Sequence, residues 1–340
     1  MKKKSSNMQK RTSPPTVAIC LATYNGDAYI AMQLDSLFAQ TYQQFTLYIH
    51  DDGSSDRTVD ILQEAANTHG NILLLDYPAV HDVAENFLSI LSYVTEDYIL
   101  FCDQDDIWEP TKITQLMDSM TAFEAAYPQC PCLVFSDASL INTHGQIIEK
   151  SHFAADVLRR SPQDVNYQQL MGDNIGAGNT FLFNRKLLSL IFSQQVQRPS
   201  WLYHDRLVML LASIYGKIVY VDQPLVKYRI HTQNVVGAAK QIEKQSICKR
   251  FQKAKEGFAQ YYLVRMMELG EYLRSRKDLP PTIRAELDQL SFVMNQSKVK
   301  RIHFFMRNKY MTGARHSRWE KIMKLLLFLP SSHGKKGVPS

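Results

Sequence analysis

Three carboxylates stand within four positions in the stretch Phe101-Cys102-Asp103-Gln104-Asp105-Asp106-Ile107-Trp108. They follow the apolar run Tyr98-Ile99-Leu100-Phe101, which reads as a short buried strand. At the end of such a strand, Asp103 and Asp105 alternate and share one side of the backbone. Carboxylates this close repel unless a cation lies between them. A hard divalent ion such as Mg²⁺ or Mn²⁺, itself holding a phosphate, suits an all-oxygen site of this kind. Aspartates also collect at helix N-termini, where the helix dipole favours them, and Asp106 suits that place. On its own, the cluster fits a metal site and an acidic helix start about equally.

The flanking elements alternate. Strands are expected over residues 17–22, 45–50 and 71–75, and helices over 28–40, 57–68 and 83–94. Asp56 suits the N-cap of the second helix. Strand–helix alternation implies βαβ units, hence an α/β fold with a mainly parallel, Rossmann-like central sheet. Ligands of such sheets sit at the carboxyl ends of strands. Tyr24-Asn25, Asp51-Asp52 and Asp103 with Asp105 all fall there. Further on come a helix to about residue 127, a strand over 131–135 and a hairpin through Asn142-Thr143-His144-Gly145. The Gly-rich turn Asn174-Ile175-Gly176-Ala177-Gly178-Asn179 precedes a strand over 180–183. Its glycines permit close backbone approach, but its spacing is neither a phosphate-binding loop nor a dinucleotide fingerprint. His204-Asp205 opens an apolar helix. Short strands over 218–221 and 225–230 follow, the second ending in Tyr228-Arg229-Ile230-His231. From residue 238 the pattern is helical, with breaks near Pro280-Pro281 and Gly313.

The 340 residues, 45% of them apolar, can fill a sizeable core. The five cysteines are scattered, and Cys130-Pro131-Cys132 has no second pair, so neither zinc nor a disulfide framework is expected. No apolar core follows Lys2-Lys3-Lys4, and no run approaches the roughly 18 apolar residues of a membrane span. A reducing, cytoplasmic location is expected. The net charge of +6 is uneven: residues 1–11 hold five Lys/Arg, and residues 298–324 hold nine against Glu320 alone. The body between is acidic. Basic ends on an acidic body point to an anionic surface. Nucleic acid is not the expected partner, because no aromatic-basic sheet motif, zinc site or recognition helix stands out.

Taken together and in order, these stretches resemble the family two glycosyltransferases, inverting enzymes of the GT-A fold, and most of all their bacterial rhamnosyltransferase-like branch. The resemblance covers roughly residues 16–238. It rests on residues 17–26 (VAICLATYNG), 51–58 (DDGSSDRT) and 103–110 (DQDDIWEP), then on Gly178-Asn179-Thr180-Phe181, His204-Asp205 and residues 228–237 (YRIHTQNVVG). It implies a nucleotide pocket lined by Thr23, Tyr24 and Asn25, with Tyr24 against the base and Asp52 accepting from the base imide. It implies that Asp103 and Asp105 match the Asp-x-Asp motif and hold Mg²⁺ or Mn²⁺ on the donor diphosphate. Asp205 matches the general base, which takes the acceptor proton as the hydroxyl attacks the anomeric carbon from the opposite face. His231 is implied as a pyrophosphate or metal contact, and Arg229 as a phosphate contact or a partner for an acid of the fold. His204 reads as structural and Trp108 as a packing anchor. Where relatives often carry an aromatic after the His-Asp pair, this chain has Arg206, a position that could face the acceptor.

The expected organisation is a disordered basic N-terminus (1–15), a GT-A domain (16–238), a helical basic extension (239–330) and a disordered tail (331–340). The expected donor is a dTDP- or UDP-sugar, rhamnosyl first, and the acceptor a lipid-linked glycan of capsule, O-antigen or cell wall. Basic residues beside Phe304, Phe305 and Trp319 suit a helix lying on an anionic membrane, at the inner face of the cell membrane. The competing readings are a helical appendage packed on the catalytic domain or in a homodimer, and a non-catalytic nucleotide-binding or scaffold subunit.

Overall fold

The computed structural model describes residues 15–155, 162–163, 165–172, 174–194, 196–231, 258–308 and 310. Its centre is a mixed sheet of nine strands: β1 (Val17–Thr23), β2 (Phe45–Asp51), β3 (Ile72–Leu74), β4 (Tyr98–Asp103), β5 (Ile107–Trp108), β6 (Cys132–Ile141), β7 (Ile147–Glu149), β8 (Phe181–Asn184) and β9 (Lys217–Arg229). The order is β3-β2-β1-β4-β8-β6-β9-β5, with β7 on β6. The first four strands are parallel, as the βαβ pattern requires. Beyond β4 the sheet continues through antiparallel β8 into a mixed half. Residues 218–221 and 225–230, expected as two strands, belong to the single long β9, whose pairing with β6 shifts register around Asp137.

The apolar runs of β1 and β4 are buried on both faces, which is why they do not alternate with polar residues. Alternate residues feed two cores. Ala18, Cys20, Ile99 and Phe101 face one; Val17, Ile19, Leu21, Leu100 and Cys102 face the other. The second core is covered by α1 (Ile30–Phe38), α2 (Thr58–Thr68) and α4 (Lys112–Ala126). The first is covered by α3 (Val83–Leu91), α6 (Tyr167–Gly172), α7 (Arg185–Phe192) and α8 (His204–Tyr215), with the short α5 (His152–Ala155) near β6.

Three further helices, α9 (Phe258–Ser275), α10 (Pro281–Met294) and α11 (Lys298–Arg307), add to that same core. Leu263, Met266, Leu269 and Leu273 of α9, with Phe304 and Phe305 of α11, lie in one buried cluster with Phe87, Phe101 and Leu207. The break at Pro280-Pro281 is where expected: Pro281 occupies the first turn of α10, where its missing N–H is harmless. The expected boundary at 238, Trp319 and the break at Gly313 lie outside the described residues.

Candidate active site

Strand register brings the polar ends together. Thr23 pairs with Asp51 across β1–β2, and Ala22 pairs with Asp103 across β1–β4, so three strands end at one edge of the sheet. Thr23 is buried, and its hydroxyl donates to Asp51 Oδ2 at 2.8 Å. Asp51 also accepts from the backbone N–H of Ser54 at 2.7 Å and from its hydroxyl at 2.6 Å, so it closes the turn after β2. Asp52 is buried, and its Oδ1 accepts the N–H groups of Val80 at 2.5 Å and His81 at 2.9 Å. Tyr24, by contrast, is 54% exposed at the mouth of the site.

The loop after β1 is held by side chains from other loops. Four consecutive backbone N–H groups each find one: Tyr24 on Gln104 Oε1 (2.9 Å), Asn25 on Ser54 Oγ (2.7 Å), Gly26 on Thr58 Oγ1 (2.8 Å) and Asp27 on Asp56 Oδ2 (3.1 Å). Asn25 adopts φ 44°, a left-handed conformation that asparagine tolerates better than most residues. Its side-chain Oδ1 accepts the N–H of Ser55 at 2.8 Å. Asp56, expected as the N-cap of α2, falls one residue short: Arg57 holds that position without a side-chain cap, and Asp56 instead accepts the N–H of Thr58 at 3.0 Å in the turn before the helix.

In the acidic stretch the three carboxylates have separate fates. Asp103 and Asp105 are partly buried at the site. Desolvation, then the like charges of Asp105 and Asp205, raise the Asp103 carboxyl to about 7. Asp105 Oδ2 lies 2.6 Å from His231 Nε2. Asp106 departs from expectation: it starts no helix, since α4 begins at Lys112, and it is fully buried. Its carboxylate takes the side-chain amide of Asn179 and the backbone N–H of Arg229 at 3.0 Å. The buried Lys112 donates to Asn179 O at 2.5 Å, with its Nζ 3.1 Å from the centre of the Trp108 ring. Trp108 is thus the packing anchor expected of it, 2% exposed.

Arg229, expected as a phosphate contact or a partner for an acid of the fold, holds Asp106 through its backbone N–H. It is fully buried, donates from Nε to Asp105 O at 2.7 Å, and donates from Nη1 to Asn142 O at 3.1 Å and Thr143 O at 3.0 Å. Its guanidinium lies 4.6 Å from the Tyr29 ring. These bonds to interior carbonyls brace the acidic loop against the 142–143 hairpin turn.

Asp205 stands in the first turn of α8, and burial raises its carboxyl to about 6. Oδ2 accepts from the side-chain amide of Asn174 at 2.8 Å, and Oδ1 from the N–H of Arg206 at 2.6 Å. His204 packs 4.0 Å from the Phe87 ring and 4.7 Å from Phe101, and burial, reinforced by Arg198, lowers it to about 3. A histidine neutral at every working pH is a packing residue. Arg206 donates from Nε and Nη2 to Leu170 O at 2.9 and 2.6 Å. The Gly-rich turn is close-packed on α8: a Cβ on Gly178 would meet His204 Nε2 at 2.9 Å and Asp205 Cβ at 3.2 Å. Its glycines leave room for α8. Gln104, Asn174 and Asn179 lie within stretches the sequence singled out but had no role assigned to them, and Lys112 lies in none of those stretches.

The carboxylate oxygens of Asp103 and Asp105 are the ligand type a hard cation takes, and a cation would relieve the repulsion that raises Asp103. Among the described residues, no group of three or more His, Cys, Asp or Glu is preassembled to hold a metal ion.

Residues 18–192 match the family described as Glycosyl transferase family 2. The chain belongs to that family. It is 28% identical over 229 residues to the dTDP-rhamnosyl transferase RfbG of Shigella flexneri, covering 64% of this chain and 74% of the relative. It is 28% identical over 174 residues to the UDP-Glc:alpha-D-GlcNAc-diphosphoundecaprenol beta-1,3-glucosyltransferase WfgD of Escherichia coli, covering 51% of this chain and 62% of that one. Among solved structures, S. aureus TarS 1–349 in complex with UDP-GlcNAc superposes with a TM-score of 0.52 at 14% identity, covering 91% of this chain and 83% of TarS. That likeness supports the GT-A fold of this glycosyltransferase.

Proposed function

We propose that this family 2 glycosyltransferase is an inverting enzyme that moves a sugar, rhamnosyl first, from a dTDP- or UDP-sugar onto a hydroxyl of a lipid-linked bacterial surface polysaccharide. The observation that carries the reading is Asp205 within electrostatic reach of Asp103 at the carboxyl edge of the sheet. One carboxylate can thus take a proton beside the pair that would hold the leaving group. Asp205, oriented by Asn174, accepts the proton of the acceptor hydroxyl. Tyr24 offers its exposed ring to the nucleobase, while Thr23, Asn25 and Asp52 shape the floor of that pocket. Asp103 and Asp105, with His231 alongside, would hold Mg²⁺ or Mn²⁺; the chemistry such a cation supplies when bound is neutralisation of the departing nucleoside diphosphate.

The donor choice follows the likeness to RfbG, and the lipid-linked acceptor follows the likeness to WfgD. Among the described residues, no helix is long and apolar enough to cross a membrane. Peripheral attachment at the inner face is supported by α11, which exposes Val299 (75%), Lys300, His303 and Arg307 while Phe304 and Phe305 turn inward. The two phenylalanines are therefore core residues and lie off the lipid-facing side.

Nucleotide release from a panel of nucleotide sugars, measured with Mg²⁺, with Mn²⁺ and with chelator, tests the reading. One donor should be turned over in a metal-dependent way, with loss of release in Asp105→Ala. If no nucleotide sugar binds with or without metal, the enzyme gives way to the scaffold subunit.

A further inference from the structure

Gln104 stands between the two aspartates of the acidic loop, in the turn that follows β4. Its amide grips the backbone of Tyr24 from both sides. Oε1 accepts the Tyr24 N–H at 2.9 Å, and Nε2 donates to the Tyr24 carbonyl at 2.9 Å. The amide thereby imitates a neighbouring strand at Tyr24, two residues past the last backbone pair of β1 and β4, Ala22 with Asp103. Gly26 closes the arrangement. A Cβ there would meet Gln104 Oε1 at 2.3 Å and Cδ at 2.5 Å, and the nearest atoms to it all belong to Gln104. The space that glycine leaves is filled by this one amide.

We infer that Gln104 is a positioning residue for the donor: it locks the loop carrying Tyr24 to the loop carrying Asp103 and Asp105, so that the nucleobase and diphosphate subsites keep a fixed separation. This rests on the donor-binding reading above. The three amides of residues 25–27 are held by Ser54 and Asp56 of the turn after β2 and by Thr58 at the start of α2. Gln104 supplies the link to the acidic loop. Removing it should leave the β1 loop folded on the β2 turn while freeing it from the acidic loop. A ligand spanning both loops must then reorder them on binding, which lowers affinity without touching the base Asp205.

The test is a double-mutant cycle of Gln104→Ala and Gly26→Ala in the full chain, read by calorimetric titration with UDP and dTDP in Mg²⁺, by donor KM and kcat, and by the melting temperature without ligand. Gln104→Ala should weaken diphosphate binding and raise donor KM about tenfold with kcat nearly unchanged, as expected for two lost hydrogen bonds. Gly26→Ala should do the same by displacing the amide. The double variant should be no worse than Gln104→Ala alone, because the methyl group then enters vacated space. The melting temperature should stay close to that of the wild type. Additive losses, or a fall in kcat and melting temperature at unchanged KM, would overturn the clamp. Wild-type affinity retained by both single variants would overturn it too while leaving donor binding intact. If the wild type binds neither nucleotide, donor binding itself fails and this role falls with it.

Discussion

As the proposed base, Asp205 must be charged to take a proton, and its position works against that charge. Burial raises its carboxyl to about 6, while the Asn174 amide pulls the other way. The base is therefore inactive below about pH 6, and kcat/KM should climb through that pH and level off above it. Asn174→Ala removes a hydrogen bond that favours the charged form, so the climb should move to higher pH with its plateau largely kept. A plateau that collapses with no shift would place Asn174 elsewhere in the mechanism. Asp205→Asn should lower kcat about 10²- to 10⁴-fold, the range usual for loss of a general base. The same substitution has an opposite effect on stability. A folded carboxyl raised above its unfolded value favours folding at low pH, and that contribution is lost as pH rises through about 6. At pH 8 the Asn variant should therefore melt above the wild type, a separation of stability from activity that thermal scans can read. Asp205 is marked as the candidate base by the resemblance, which matches its place after His204. The resemblance assigns no role to Asn174, which lies 31 positions away and meets Asp205 only because the Gly-rich turn folds onto α8.

At the scale of elements, that turn and the start of α8 form one packed unit. Gly176 has Met209 Cε and the Phe181 ring within 2.7 Å of where a Cβ would stand, and Gly178 has His204 Nε2 within 2.9 Å. The glycines read beforehand as room for a ligand are room for a helix. Gly178→Ala should push His204 and Asp205 from their places, costing about 1–3 kcal/mol of stability, as overpacking does, and reducing kcat more than donor KM. Chemical denaturation with steady-state kinetics checks both. A fully active, fully stable Gly178→Ala would return the turn to the ligand. The periodicities of α1, α2, α3 and β1 to β4 were legible because each carries one repeating apolar pattern. The union of two predicted strands into β9 was not, because Asp222, Gln223 and Pro224 interrupt the apolar run; the pairing that carries the strand through them comes from β6, a partner distant in sequence. Buried charges hid for the same reason. Lys112 reads as an ordinary polar helix residue until Trp108, Asn179 and Asp106 close around it.

At the scale of the whole molecule, the helical extension shares its core with the catalytic sheet. Leu269 of α9 is fully buried in a cluster that also holds Phe101 of β4 and Phe87, the residue stacked on His204. Composition suggested a separate basic module, since lysine, arginine and methionine enrich that segment. The apolar residues spaced along α9 answer to a surface that only the folded domain provides. Tyr215 of α8 also donates to Asp278, beyond α9, at 2.9 Å, and Tyr167 donates to Glu286 of α10, so polar contacts cross the same seam. Leu269→Ala should then destabilise the entire chain by about 2–5 kcal/mol, the usual range for emptying a buried leucine site. Tryptophan fluorescence and far-ultraviolet dichroism should report one coincident urea transition, shifted as a whole. Two transitions, with only the minor one moved by Leu269→Ala, would make the extension an independent unit docked on the enzyme. A single shifted transition means that the extension and the sheet that carries the site unfold as one cooperative unit.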